Sequence, residues 1–137
     1  MREILFRAKT TGDHEWVYGD LLHDGYDYDV AVWEKETKLV TAILPETVGQ
    51  FTGRYDHNGK KVFEHDILQL YIVWASGMRQ ESVKAVVQWC ENDQCYVLTT
   101  KDGTHCDDFG NLGRPEYYEV IGNIHDNPEL LGGTDNG

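Results

Sequence analysis

Apolar side chains recur at every second position through several short segments of this chain, and each segment ends in residues that favour turns. Residues 82–89 are the clearest case: Val83, Ala85, Val87 and Trp89 alternate with Ser82, Lys84, Val86 and Gln88. Successive side chains on a strand point to opposite faces, so this pattern suits a half-buried strand and not a helix, whose period is about 3.6 residues. From Ile67 to Trp74, the residues Leu68, Leu70, Ile72 and Trp74 share one face. After 82–89 the turn Glu91-Asn92-Asp93 leads into a further strand over 95–100. These three segments predict an antiparallel meander. A fourth strand is expected over 117–124, after a loop-like stretch at 101–115.

The N-terminal part reads the same way. Residues 2–8 place Ile4, Phe6 and Ala8 on one face and Arg7 on the other, and 15–22 carry Trp16, Tyr18, Leu21 and Leu22. With Thr10-Thr11-Gly12-Asp13 between them, they form a predicted hairpin. Asp24-Gly25 marks a turn before a strand at 26–33, and another strand covers 38–44. Two single helical turns are expected. Pro45–Gly49 has proline at its start and glycine at its stop, and Asn127–Gly132 adds asparagine as N-cap, with Leu130 and Leu131 packing on the sheet.

Short strands with almost no helix predict a mainly β fold: a small SH3-like barrel or a strongly bent antiparallel sheet, with an N-terminal β extension. The 137 residues suit one domain, in which strands of 1–50 pack on a barrel-like part at 51–131 and 132–137 fray. A hydrophobic content of 40% with 12% aromatics is too rich for a disordered chain. No apolar run reaches the ~18 residues of a membrane span. The opening Met1-Arg2-Glu3-Ile4-Leu5-Phe6-Arg7 lacks a secretory signal, so a cytoplasmic protein is expected. Three cysteines, an odd number, read as free thiols of a reducing cytosol.

The charge of −12, from 24 acidic and 12 basic residues, disfavours generic nucleic-acid binding, which releases counterions from phosphates onto basic surfaces. The sign suits a basic protein partner, or a surface imitating DNA phosphates, and solubility alone also accounts for it.

Several groups of residues are candidates for chemistry. Around the turn signal Asp56, Asn58-Gly59, the cations Arg54, Lys60 and Lys61 form a local basic spot able to hold a phosphate or carboxylate, although Asn-Gly by itself explains the turn. Its spacing is neither that of an EF-hand nor that of a P-loop. Cys90, Cys95, His105 and Cys106 hold the donor types of a Cys3His zinc site. Adjacent residues on a strand point apart, however, and small buried cysteines are the plainer reading. Cys106 beside His105 is a weak signature for nucleophilic catalysis, since such pairs are brought together by a fold rather than by adjacency. Carboxylate pairs Asp107 and Asp108, Glu64 and Asp66, and Asp27 and Asp29 arise readily in so acidic a chain. The long stretch 101–115, with His105, Asp107, Asp108, Phe109 and Arg114, is a candidate binding loop. The aromatics Trp16, Tyr18, Tyr26, Tyr28 and Trp33 suit an interface or a core equally. No catalytic residue, metal or cofactor is predicted.

Three stretches carry a family resemblance: Met1-Arg2-Glu3-Ile4-Leu5-Phe6-Arg7-Ala8; then Gln50-Phe51-Thr52-Gly53, Asp56, Asn58-Gly59-Lys60 and Glu64-His65-Asp66-Ile67; and Tyr118-Glu119-Val120-Ile121-Gly122-Asn123-Ile124-His125-Asp126-Asn127-Pro128-Glu129-Leu130-Leu131. In order and coverage they resemble the YopX family, encoded mainly in phage and prophage genomes. One departure is His65, where the family commonly has glycine; any bend there must be milder or strained. The resemblance implies a small β-rich accessory protein without an assigned reaction, so no catalytic residue carries over. The expected role is non-enzymatic binding of a host or phage macromolecule in the bacterial cytoplasm. A protein is the expected partner, and self-association into a homo-oligomer is compatible with the sequence. The alternatives are an acidic DNA-mimic inhibitor of a host DNA-binding protein and a nucleic-acid-binding module that uses the basic turn.

Overall fold

The computed structural model describes residues 3–23, 29–34, 36–73, 80–100, 105–108 and 118–131, with backbone alone at 29–30, 72–73, 80–82 and 105–108. These residues form eleven strands and two 3-10 turns, in two compact units, Met1–Gly53 and Arg54–Gly137.

The first unit contains β1 (Phe6–Lys9), β2 (Trp16–His23), β3 (Asp29–Trp33), β4 (Val40–Ala42) and the start of β5 (Gly49–Tyr55). Its antiparallel order is β4-β3-β2-β1-β5. Ala8, Val32 and Ile43 form the core, with Val17, Leu21 and Val48 packed around them. A bridge between Thr10 and Ile43, and the bond from the Leu44 N–H to the Lys9 carbonyl (2.9 Å), tie the end of β1 to the end of β4.

Three expectations are refined in this unit. Arg7, placed on the face opposite Phe6 and Ala8, is nonetheless buried there, with its guanidinium 4.6 Å from the Trp16 ring. The register explains it: Lys9 lies opposite Trp16 and Arg7 opposite Tyr18, so both cations share a face with Trp16, whose ring lies beneath them. Ile4, expected within a strand over 2–8 on the face of Phe6 and Ala8, precedes β1 and is exposed. The turn at 45–49 has its proline start but no glycine stop. Pro45–Thr47 is a 3-10 turn closed by the Val48 N–H on the Pro45 carbonyl (3.2 Å), and Gly49 opens β5 instead.

The second unit holds β6 (Lys61–Phe63), β7 (Asp66–Val73), β8 (Gln80–Cys90), β9 (Cys95–Thr99), β10 (His105–Asp108) and β11 (Tyr118–Asn123). The predicted meander forms, with Leu68 opposite Ala85 and Val87 opposite Leu98. Val62, Leu68, Leu70, Ala85, Val87, Leu98 and Tyr118 make its core. The expected fourth strand, β11, pairs with β7, giving the antiparallel order β10-β9-β8-β7-β11. The mainly β expectation therefore holds, as two antiparallel sheets. Neither closes into a barrel among the described residues, because β10 and β11 remain at opposite edges of this sheet. β10 is four residues long, with a register shift between His105 and Asp107.

β10 also replaces part of the predicted loop at 101–115; the rest of that loop lies outside the described residues. The C-terminal 3-10 turn, Pro128–Leu131, has proline first as expected. The Asn127 side chain, however, accepts the Asn123 N–H (3.3 Å), and the backbone carbonyl of Asn127 takes the Leu130 N–H (3.0 Å). The Leu130 side chain lies against Gly122, where a Cβ would come 2.9 Å from it.

Candidate functional site

The hairpin joining β5 to β6 is built around one buried carboxylate. The Asp56 N–H donates to the Lys60 carbonyl and the Gly59 N–H to the Asp56 carbonyl, both at 2.9 Å. Gly59 has φ 80°, while Asn58 stays at negative φ. This is a type I turn closed by a left-handed glycine, so glycine alone supplies the positive φ that the Asn58-Gly59 pair advertises. The expected Asx-turn is present: Asp56 Oδ1 accepts the Asn58 and Lys60 N–H groups, both at 2.9 Å.

Sequence gives no sign of where the other oxygen goes. Asp56 Oδ2 accepts the Val120 N–H at 2.9 Å, which fastens the hairpin to β11. The His57 N–H reinforces this by donating to the Tyr118 carbonyl (3.2 Å), and the Tyr118 hydroxyl donates to the Tyr55 carbonyl (3.1 Å). Burial pushes the Asp56 carboxyl up, but the three backbone donors, from Val120, Lys60 and Asn58, outweigh it and hold the group below its ordinary 3.8, with a smaller contribution from His57. Burial raises the Tyr118 phenol above its usual range; Arg54 opposes this and Asp56 adds to it.

The pinned hairpin carries polar and aromatic groups to the surface. Tyr55 is 43% exposed, with Lys61 Nζ 5.3 Å from its ring centre. Lys60 is exposed, and Arg54 and Lys61 are half-buried. On the neighbouring strands, Glu119 Oε1 accepts the Tyr71 hydroxyl (3.1 Å) and lies 3.9 Å from His57 Nε2. That hydrogen bond, followed by partial burial and the negative charge of Glu119, raises the Tyr71 phenol above its ordinary range. The surface therefore offers two tyrosines and the Lys60 and Lys61 ammonium groups, with His57 and Glu119 beside them. Such a set can stack, hydrogen-bond and meet an anion without any covalent step.

The predicted site residues divide between two places. Arg54, Lys60 and Lys61 lie together on the hairpin beside β11, whereas His105, Asp107 and Asp108 lie on β10. β10 and β11 are opposite edges of a five-stranded sheet, about 19 Å apart at four inter-strand spacings. Phe109 and Arg114 lie outside the described residues, as do Tyr26, Tyr28 and Asp27. Cys90 and Cys95 face each other across β8 and β9 as free thiols. His105 pairs with Thr99, at the other end of β9, about 13 Å along the strand from Cys95. The backbone therefore does not assemble the Cys3His set. Among the described residues no group of three or more His, Cys, Asp and Glu side chains is placed to hold a metal. Asp66 of the Glu64–Asp66 pair is buried and accepts the Phe63 N–H at 2.7 Å, a structural use.

Tyr55, His57, Tyr71 and Glu119 are the members of the surface that sequence reasoning missed. Tyr71 and Glu119 occupy outward positions in alternating strands, but their meeting depends on a β7–β11 pairing across 48 residues.

No helix among the described residues is long and apolar enough to cross a membrane. A family model described as YopX protein matches residues 5–132. The crystal structure of protein EF1440 from Enterococcus faecalis is similar, with 26% identity and a TM-score of 0.60 over 96% of this chain and 99% of that one. No curated protein matches.

Proposed function

The chain belongs to the YopX family, and from that membership we propose that it is a phage- or prophage-encoded accessory protein. In this reading it is non-enzymatic, works in the bacterial cytoplasm and binds a macromolecule through the Arg54–Lys61 hairpin. The scaffold is the bulged sheet of the second unit, bent in an SH3-like manner without closing. The observation that carries the reading is the fixing of Asp56 by three backbone donors at 2.9 Å while Tyr55, His57 and Lys60 stay exposed. A rigid base under exposed aromatic and cationic groups lowers the ordering cost of binding. A protein is the favoured partner, because a net charge of −12 repels nucleic acid at long range.

Affinity capture from bacterial lysate, with and without nuclease, tests the proposal. A protein retained by the wild type after nuclease, and lost with Tyr55→Ala combined with Lys60→Glu, supports it. Retention by both proteins removes the hairpin from the interface. A basic DNA-binding protein among those captured would favour the DNA-mimic reading.

The lysine over the Tyr55 ring favours a second reading, in which the hairpin stacks on a nucleic-acid base. That reading requires oligonucleotide binding that weakens with salt; its absence at low ionic strength would dismiss it.

A further inference from the structure

His65 stands in the turn between β6 and β7 with φ 75°, a left-handed conformation that a side chain with a Cβ adopts at a cost. Its backbone is held on both sides: its N–H donates to the Val87 carbonyl (2.8 Å), and its carbonyl accepts the Ile124 N–H (3.0 Å). One residue further on, the His125 N–H donates to Asn123 Oδ1 (3.0 Å), and Asn123 is itself buried. The two imidazoles meet edge to face, with centroids 5.2 Å apart and planes at 81°. His65 Nδ1 and His125 Nε2 are 3.3 Å apart.

We propose that His65 and His125 form a two-histidine site for a divalent transition-metal ion of the zinc type. Two nitrogens that each lie about 2.0–2.1 Å from one tetrahedral ion are separated by about 3.3–3.4 Å, the spacing these rings already have. Imidazole is a preferred ligand for such ions, and the main-chain hydrogen bonds hold the backbones that carry both rings before any ion arrives. A strained residue retained where glycine would be relaxed is a recognised mark of a functional position. The surroundings suit a cation: Glu64, Asp66 and Asp126 are chain neighbours of the pair, in a protein of net charge −12. Asp66 and Asp126 are engaged by the Phe63 N–H and the Asn123 amide, so they contribute field and the remaining coordination positions go to water. A plain ring-to-ring hydrogen bond is the competing account of the same distance.

The test is titration of the full chain with zinc chloride, read by calorimetry and by 15N imidazole spectra, which identify the liganding rings whatever the thiols bind. The proposal expects the His65 and His125 ring signals to move together and saturate near one equivalent. His125→Gln and His65→Gly should each weaken that binding by at least about tenfold, since loss of even an outer-shell partner commonly costs 10–100-fold. His65→Gly relieves the backbone, so it should stay folded. If zinc leaves both ring signals unmoved, or either variant binds as tightly as the wild type, the site is a hydrogen-bonded pair and the proposal fails.

Discussion

Asp56 shows how one side chain joins segments far apart in sequence. Its oxygens serve Asn58 and Lys60 within the turn and Val120 across the second unit. Asp56→Ala leaves three donors to find water or nothing, so a loss of about 2–3 kcal/mol is expected in urea unfolding. Because the folded carboxyl titrates below its ordinary 3.8, its contribution is present above that value and is lost as pH falls through the folded value. Wild type should therefore lose stability below about pH 4 more steeply than Asp56→Ala. His65 makes the opposite point. Relief of its left-handed backbone is worth about 1–2 kcal/mol, against about 0.5–1 for the added freedom of glycine. His65→Gly should then raise stability by roughly 0.5–1 kcal/mol in metal-free urea titrations. The departure from the family pattern at this residue was legible in sequence; the ring pairing with His125 was not, because nothing local encodes a contact across 60 positions.

Among elements, legibility followed the strength of the period-2 signal. β7, β8 and β9 were plain, because Leu68, Leu70, Ala85, Val87 and Leu98 all face one core. Ile67, Val86 and Val97, on the reverse face, are buried as well, which is why Val86 stood where alternation called for a polar residue. β5 was missed because Gly49, Gly53 and Thr52 dilute its apolar pattern and Gly53 takes φ 91°. β10, His-Cys-Asp-Asp, has no apolar period to read. The end of β11 depends on Gly122, where a Cβ would fall 2.6 Å from Asn127 Oδ1 and 2.9 Å from Leu130. Gly122→Ala should displace the 3-10 turn at 128–131 at a cost of about 1–3 kcal/mol. Faster amide exchange confined to residues 124–131 would be the measurable sign, and unchanged exchange there would contradict it.

For the molecule as a whole, the β1–β2 hairpin and the β7-β8-β9 meander were foreseen, but the placing of β5 beside β1 and of β11 beside β7 was not. Hydrophobic pattern fixes faces, whereas strand order depends on pairings between distant segments. Charge, in contrast, was fully legible. An excess of 12 negative charges repels itself in the compact state, so moderate salt should stabilise the fold. The melting temperature should rise between roughly 0.02 and 0.3 M sodium chloride, as the screening length shortens. A fall would mean that local ion pairs outweigh the repulsion. The placement of β11 beside β7 bears on synthesis. A ribosome that has delivered the chain only through residue 100 has released β7, β8 and β9, yet Tyr118 and the Val120 N–H that holds Asp56 are still to come. Until they emerge, the nascent chain carries a bare strand edge and an incomplete core. A premature stop codon between β9 and β11 would leave its product in that state permanently, a substrate for proteases and not a shorter working protein.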